Sequence, residues 1–369
     1  MKCIHCGEDT NYKARSISRR CQRCQHPFAF EPKSERVGTA PLADGLFHRA
    51  IQEVSEEGKL QYTERQLWFA LSRRLVKRQT PSPSALGCFS VLAFMGAAIA
   101  LALGTGQFWI ILVAIPLAFV GLAKIPAFSR PPTQESPLPF PEFQRLAARW
   151  KQTHGPLTQL AAVQRPSLPD RAADSDLTAY SFDRVVVTER ADLAAMLVAN
   201  RFHFENNCAI LSLDGYPAGM ADTIMTMLRR NPVLKVFAIH DASVAGCLMA
   251  RTLRGPNWFP DANVQILDLG LRPKHAQALK LLVTRGQPQA LSEELRATLT
   301  QEEAAWLEAG NSAELSALRP SRLMRALYQG FARANQIEAA GDDGIVGMGP
   351  GFIWIGDPTS HVYASDSFG

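Results

Sequence analysis

Val233–Gly246 reads V-L-K-V-F-A-I-H-D-A-S-V-A-G, and the fold turns on this stretch. A mostly apolar run of strand length ends at a polar His-Asp pair and passes into small residues, as a buried strand does when it opens onto a helix. The figure recurs on both sides. Arg184–Thr188 (R-V-V-V-T) precedes helical Ala191–Asn200, Cys208–Leu213 (C-A-I-L-S-L) precedes helical Ala221–Arg230, and a helix over Cys247–Leu253 leads to a strand at Asn263–Asp268. Such alternation predicts an α/β domain with a mostly parallel sheet, placed here at 142–335.

Ligands of parallel sheets meet residues just past the carboxyl ends of the strands. Those positions hold Glu189, Asp214-Gly215-Tyr216-Pro217 and His240-Asp241. A carboxylate from each of two strands suits a hard cation, so Glu189 and Asp241 are candidate ligands of a residual magnesium site. The same residues also serve without any metal, as charges at helix N-termini or as partners of Arg190 or Arg251. Both readings stand on the sequence.

Three ordered segments, V-V-V-T-E-R (185–190), L-S-L-D-G-Y-P (211–217) and F-A-I-H-D-A-S-V-A-G (237–246), together resemble the Toprim domain of the topoisomerase VI A subunit and its meiotic double-strand-break relatives. The likeness continues through L-D-L-G-L-R-P (267–273) and N-S-A-E-L-S-A-L (311–318), covering roughly Asp183 to Phe331. It implies a fold, and a family chemistry in which a winged-helix tyrosine cleaves DNA beside Toprim carboxylates holding Mg²⁺, in dimers and often with an ATPase subunit. Glu189 matches the Toprim Glu and Asp241 the first Asp of D-x-D. Ser243 stands in place of the second Asp, and Ala218 where an acid commonly follows G-Y-P. Thr63–Phe69 (T-E-R-Q-L-W-F) resembles the family helix T-x-R-x-x-Y-Y, with Phe69 where the nucleophilic tyrosine would be. Phenylalanine has no hydroxyl and forms no phosphotyrosyl bond.

Toward the N-terminus, Cys3-x2-Cys6 and Cys21-x2-Cys24 form two knuckles of metal-binding type, expected to hold one structural zinc in a ribbon over residues 1–34. Seven cysteines in 369 residues exclude a disulfide scaffold. Gly7 suits a tight knuckle turn, and His5 and His26 are left out because four thiolates complete the shell. Zinc here folds a module without a core of its own. Lys13, Arg15, Arg19, Arg20 and Arg23 make one face basic, permitting contact with phosphates. Residues 40–80 predict two helices, around Leu42–Val54 and after Thr63, which read either as a helix-turn-helix-like unit or as a juxtamembrane segment.

No Asp, Glu, Lys or Arg occurs between Arg78 and Lys124. Ala85–Leu103 and Phe108–Ala123 each approach membrane-spanning length, which predicts a two-helix transmembrane hairpin over 85–125. The flanking Arg73, Arg74, Lys77, Arg78, Lys124 and Arg130 would place both termini on the cytoplasmic side of an inner or cytoplasmic membrane. A Pro-rich linker (126–141) and a Gly-rich tail (336–369) complete the division. Charge follows the same lines: residues 1–80 carry fifteen Lys/Arg against nine Asp/Glu, so the basicity belongs to the N-terminal part and not to the α/β body.

The expected function is a membrane-anchored, DNA-associated or protein-interaction scaffold with an inactive Toprim-like domain. The alternative is a divergent, Mg²⁺-dependent, membrane-tethered nuclease active against foreign DNA. Expected partners are the membrane, DNA, a second copy of the chain or an ATPase subunit.

Overall fold

The computed structural model describes residues 1–13, 18–79, 134–163, 182–230, 234–259 and 264–339. After the N-terminal cysteine knuckles, a short hairpin pairs β1 (Arg36–Val37) with β2 (Ala40–Pro41) and leads into α1 (Asp44–Val54) and α2 (Glu64–Gln79). Next come β3 (Gln134–Glu135) and α3 (Phe140–His154). The body follows as β4 (Arg184–Thr188), α4 (Ala191–Ala199), α5 (Phe202–Glu205), β5 (Cys208–Ser212), α6 (Met220–Arg230), β6 (Lys235–Ile239), α7 (Val244–Cys247), α8 (Met249–Leu253) and β7 (Gln265–Asp268). Beyond the sheet lie α9 (Pro273–Ala278), β8 (Leu282–Arg285), α10 (Glu293–Ala297), α11 (Gln301–Glu308), β9 (Asn311–Ser312), a 3₁₀ turn at Leu315–Ala317 and α12 (Pro320–Ala339).

The four-stranded sheet has the order β5-β4-β6-β7 and every pairing is parallel. β-branched Val185, Val186 and Val187 favour the extended backbone, and alternation along the strand divides them between two faces. Val185 and Val187 join Ala209, Leu211, Val236 and Ala238 under α6 and α8. Val186, Ile210, Phe237 and Ile239 face the other way, under α4 and α12. On that side Phe331 of α12 lies 4.6 Å from Phe237, ring centre to ring centre. Burial on both faces is why these strands read as near-continuous apolar runs.

The N-terminal helices belong to the same core as this second face. Phe47 of α1, Leu67, Trp68, Phe69 and Leu71 of α2, and Phe143 and Trp150 of α3 are continuous with Val186 and Leu315 in one apolar cluster. α1 and α2 form a helical pair around a turn in which Gly58 adopts φ +87°. Thr63 caps α2 reciprocally with Gln66: Gln66 N donates to Thr63 Oγ1 and Thr63 N to Gln66 Oε1. Trp68 Nε1 donates to Leu138 O at 2.8 Å, and Arg73 to Ala317 O. α2 thus packs one side into the core of the protein and leaves Lys77 exposed. The end of the expected linker is also built in, since β3 pairs in parallel with β8 and Leu138 is fully buried.

The multidomain architecture with a transmembrane hairpin is corrected to a mixed α/β fold with a parallel sheet and a cysteine cluster near the N-terminus. Among the described residues no helix is long and apolar enough to cross a membrane. A crossing needs about twenty largely apolar residues. The two longest described helices fall short because each has a charged face: Arg73, Arg74 and Lys77 on α2, Arg322 and Arg325 on α12. The most apolar, α4, has nine residues and is buried on the sheet. The runs at 85–103 and 108–123 lie outside the described residues, as does the tail beyond Ala339. The same finding corrects the expected integral-membrane partner and the membrane localisation with both termini cytoplasmic.

Candidate functional site

Two equivalent knuckles build the cysteine centre. In each, the chain folds back so that a backbone amide reaches the carbonyl of the first cysteine: Gly7 N to Cys3 O and Gln25 N to Cys21 O, both 3.0 Å. The folding residue takes the left-handed conformation, Gly7 at φ +75° as expected and Gln25 at φ +58°. The ligand atoms of Cys3, Cys6, Cys21 and Cys24 all lie within 4.8 Å of one another, with Cys3 and Cys24 sulfurs at 3.7 Å and Cys6 and Cys21 sulfurs at 3.6 Å. Backbone N–H groups of Cys24 and Arg23 pull the Cys21 thiol down to about 6. For Cys24 the His26 amide also favours the thiolate, but burial and the three neighbouring sulfurs prevail and push it up to about 12. Four crowded thiols cannot all ionise unless a cation joins them, and a d¹⁰ metal preferring tetrahedral sulfur fits this donor set. The cluster could hold a metal ion.

His5 and His26 are not ligands but part of the docking of this module. The His26 ring stacks between His5 and His154, with centres 5.1 and 5.0 Å apart. His26 Nε2 and His154 Nδ1 share a hydrogen bond of 2.8 Å, and His154 Nε2 meets Asp44 Oδ2 at 2.8 Å. Asp44, fully buried at the start of α1, also accepts from Ala29 N and Phe30 N. A chain of polar contacts therefore runs from the metal knuckle to α1 and α3. No local signal marked it, because His154 and Asp44 are 110 residues apart. The basic face is partly engaged: Arg20 donates to Gln25 O, Arg23 lies 3.9 Å from Glu8, and Arg15 falls outside the described residues.

At the strand ends, the structure brings Glu189 and Asp241 together, as parallel neighbours β4 and β6 require. Glu189 Oε2 accepts from Asp241 N at 3.0 Å. Asp241 is turned to other work: Oδ1 accepts from Leu315 N at 2.6 Å, and Oδ2 lies 3.8 Å from Arg190 Nη1. Arg190 is the hub. It grips Asp192 with Nε and Nη2 at 3.0 and 2.7 Å, meets Glu314 Oε2 at 2.6 Å and donates to Ser316 Oγ at 2.8 Å. Arg65 of α2 binds the other oxygen of Glu314 at 2.6 Å. Ser243, in the place of a second Asp, accepts from Gly246 N and caps α7. Asp214 accepts from Ala191 N. Among the described residues no third carboxylate joins Glu189 and Asp241 as a metal-ligand group. Phe69 is buried beside Trp68 in the apolar core.

Behind Asp241 lies a buried pair. His240 Nδ1 donates to Asp241 O at 2.8 Å, and Nε2 meets Asp268 Oδ1 at 3.0 Å, an oxygen that also accepts from Gly270 N. Gly270 permits this approach, since a Cβ there would fall 2.0 Å from the His240 ring. Burial opposes charging His240, yet the Asp268 carboxylate outweighs it and the imidazole sits above its ordinary value. Burial alone would raise Asp268; the His240 charge draws it below the usual range. Burial raises Asp241 to about 7, Arg190 opposing and Glu189 and Glu314 assisting.

These directions set a pH dependence. A raised folded value for His240 and for Asp241 contributes stability that is present below the unfolded value and is lost as pH climbs through the folded one. Asp268 acts oppositely, its contribution being lost only as pH falls through its depressed value. His240 and Asp241 favour pH 5.5 over pH 8, while His26, His48, His203 and His275, held below their ordinary value by burial, favour the higher pH. The Asp241 share is isolated by Asp241→Asn, which should raise the thermal midpoint near pH 8 relative to that near pH 5.5, and an unchanged difference between the two pH values would remove Asp241 from the account.

No family model matches this chain, and no curated protein matches it significantly.

Proposed function

We propose that this protein is a non-cleaving scaffold: a zinc-holding ribbon seated on a helical head, joined to a Toprim-like α/β body that associates with DNA or with protein partners. One observation carries the reading. The position in which a Toprim cation would meet Asp241 is served instead by Arg190, whose guanidinium is shared among Asp192, Glu314 and Asp241. A fixed positive charge there does what a hard cation would do electrostatically, without open positions for water and phosphate. Phe69 and Ser243 support the reading from the side of the missing nucleophile and the missing ligand. Zinc, held by Cys3, Cys6, Cys21 and Cys24, would supply the cross-link for a module too small to bury a core, and no redox or hydrolytic chemistry.

The second reading, a Mg²⁺-dependent nuclease, rests on the closeness of Glu189 to the Asp241 amide. Calorimetry of the full chain with Mg²⁺ and with Mn²⁺, run alongside plasmid nicking, separates the two. The scaffold reading expects no binding heat at millimolar metal and no nicking. Metal binding that disappears in Glu189→Gln, or nicking that does so, would overturn it.

A further inference from the structure

The α2 and α12 helices bring a basic surface together that neither the metal centre nor the carboxylate cluster uses. On α12, Arg322 and Arg325 are exposed and three residues apart, preceded at the same spacing by half-exposed Arg319. Tyr328 continues the strip and is 63% exposed, the most exposed large apolar side chain among the described residues. The buried side of α12 is Leu323, Leu327, Phe331 and Ala334, so packing fixes the cationic face outward. α12 contains no acidic residue before Glu338.

On α2, Arg73 and Lys77 lie one turn apart. Burial first pulls the Arg73 guanidinium below its ordinary value; the Glu53 carboxylate opposes this and the charges of Arg319 and Arg322 add to it, which sets Arg73 among these two cations and Glu53. Among the described residues Glu53 is the carboxylate in ion-pair contact with this surface, 2.6 Å from Arg74 and 3.7 Å from Arg319. Among the described residues Lys77, Arg322 and Arg325 have no carboxylate partner. Side chains three and four apart on a helix stand about 5–6 Å from one another. Two such rows match a linear run of phosphates better than a single small anion, and an exposed ring at the end of one row matches a base face.

We propose that the α2–α12 face is a nucleic-acid-binding surface, on which Lys77, Arg319, Arg322 and Arg325 hold the phosphate backbone and Tyr328 stacks on an unpaired base. This gives the scaffold reading above a partner and a place. It differs from the ribbon's basic face, where Arg20 and Arg23 already have protein partners.

Fluorescence anisotropy of the full chain with a labelled single strand and with a duplex, without divalent cations, tests it. The triple variant Lys77→Glu, Arg322→Glu, Arg325→Glu should bind both about tenfold or more weakly. The slope of log affinity against log salt should fall by about three, one for each phosphate that the variant no longer neutralises. Tyr328→Ala should weaken the single strand more than the duplex, and equal weakening on both overturns the stacking role. All four positions are at solvent, so circular dichroism and the melting temperature should match wild type; the triple variant Lys77→Gln, Arg322→Gln, Arg325→Gln, with no reversed charge, should fall between. Wild-type affinity in the charge-reversed variant overturns the proposal. So does binding to phosphatidylserine vesicles that is charge-dependent while neither oligonucleotide binds. Cleavage is not read in this assay, so failure here leaves the non-cleaving reading to its own test.

Discussion

Cys21→Ser is expected to strip the metal from the ribbon, taking occupancy from one ion per chain to none, as read by metal analysis of the purified protein. Cys21 is completely buried, accepts from Thr10 Oγ1 and lies 3.6 Å from the Cys6 sulfur. Hydroxyl oxygen is a poor ligand for a soft tetrahedral site, and three thiols without a cation repel one another as they ionise. Among the described residues of 1–28 the local apolar cluster is Cys3, Cys21 and Phe28 with Met1, Cys6 and Cys24 packed against it, too little to hold the knuckles. Amide exchange over both knuckles should then rise to that of an open chain. The helical head should survive, because Phe30 packs on Phe47 and Trp150 within the larger core. Full metal content in this variant would refute the four-cysteine site.

Arg272→Met should cost about 3–5 kcal/mol in urea denaturation, because it leaves a buried carboxylate without its cation. Arg272 Nε and Nη2 bind Glu303 Oε1 and Oε2 at 3.1 and 2.9 Å, and Nη2 also donates to Thr298 O at 2.7 Å. The side chains are only 6% and 2% exposed. Glu303 additionally caps α11 by accepting from Thr300 N, which a glutamine can still do. The double variant Arg272→Met, Glu303→Gln should therefore recover a large part of the stability. A single-variant cost below about 1 kcal/mol would show that water reaches the pair and screens it.

The parts of the site that could be read directly are those whose chemistry is local. The two Cys-x2-Cys knuckles announce a tetrahedral donor set through spacing alone, and the structure closes them to within 4.8 Å. Glu189 and Asp241 follow from strand ends, since parallel neighbours must place those ends side by side. The membrane hairpin shows the limit of the same reasoning. A charge-free apolar run states that a segment avoids water, and both a bilayer and a protein core satisfy that condition. On a shorter scale, Val185–Val187 form an apolar run that is a buried strand. The juxtamembrane alternative for α2 drew on its basic residues, and two of these, Arg65 and Arg74, reach Glu314 and Glu53.

Alternating strand and helix and the cysteine spacing were determined by the sequence itself, because side-chain periodicity and short loops act over a few residues. Which charges meet was decided by tertiary structure. Arg190 reaches Glu314 across 124 positions, Arg65 reaches it across 249, and Asp44 reaches His154 across 110. Whether Asp241 faces a metal or an arginine depends on those long-range pairings. A carboxylate's local context fixes that it must be neutralised when buried, and only the packed chain decides by what.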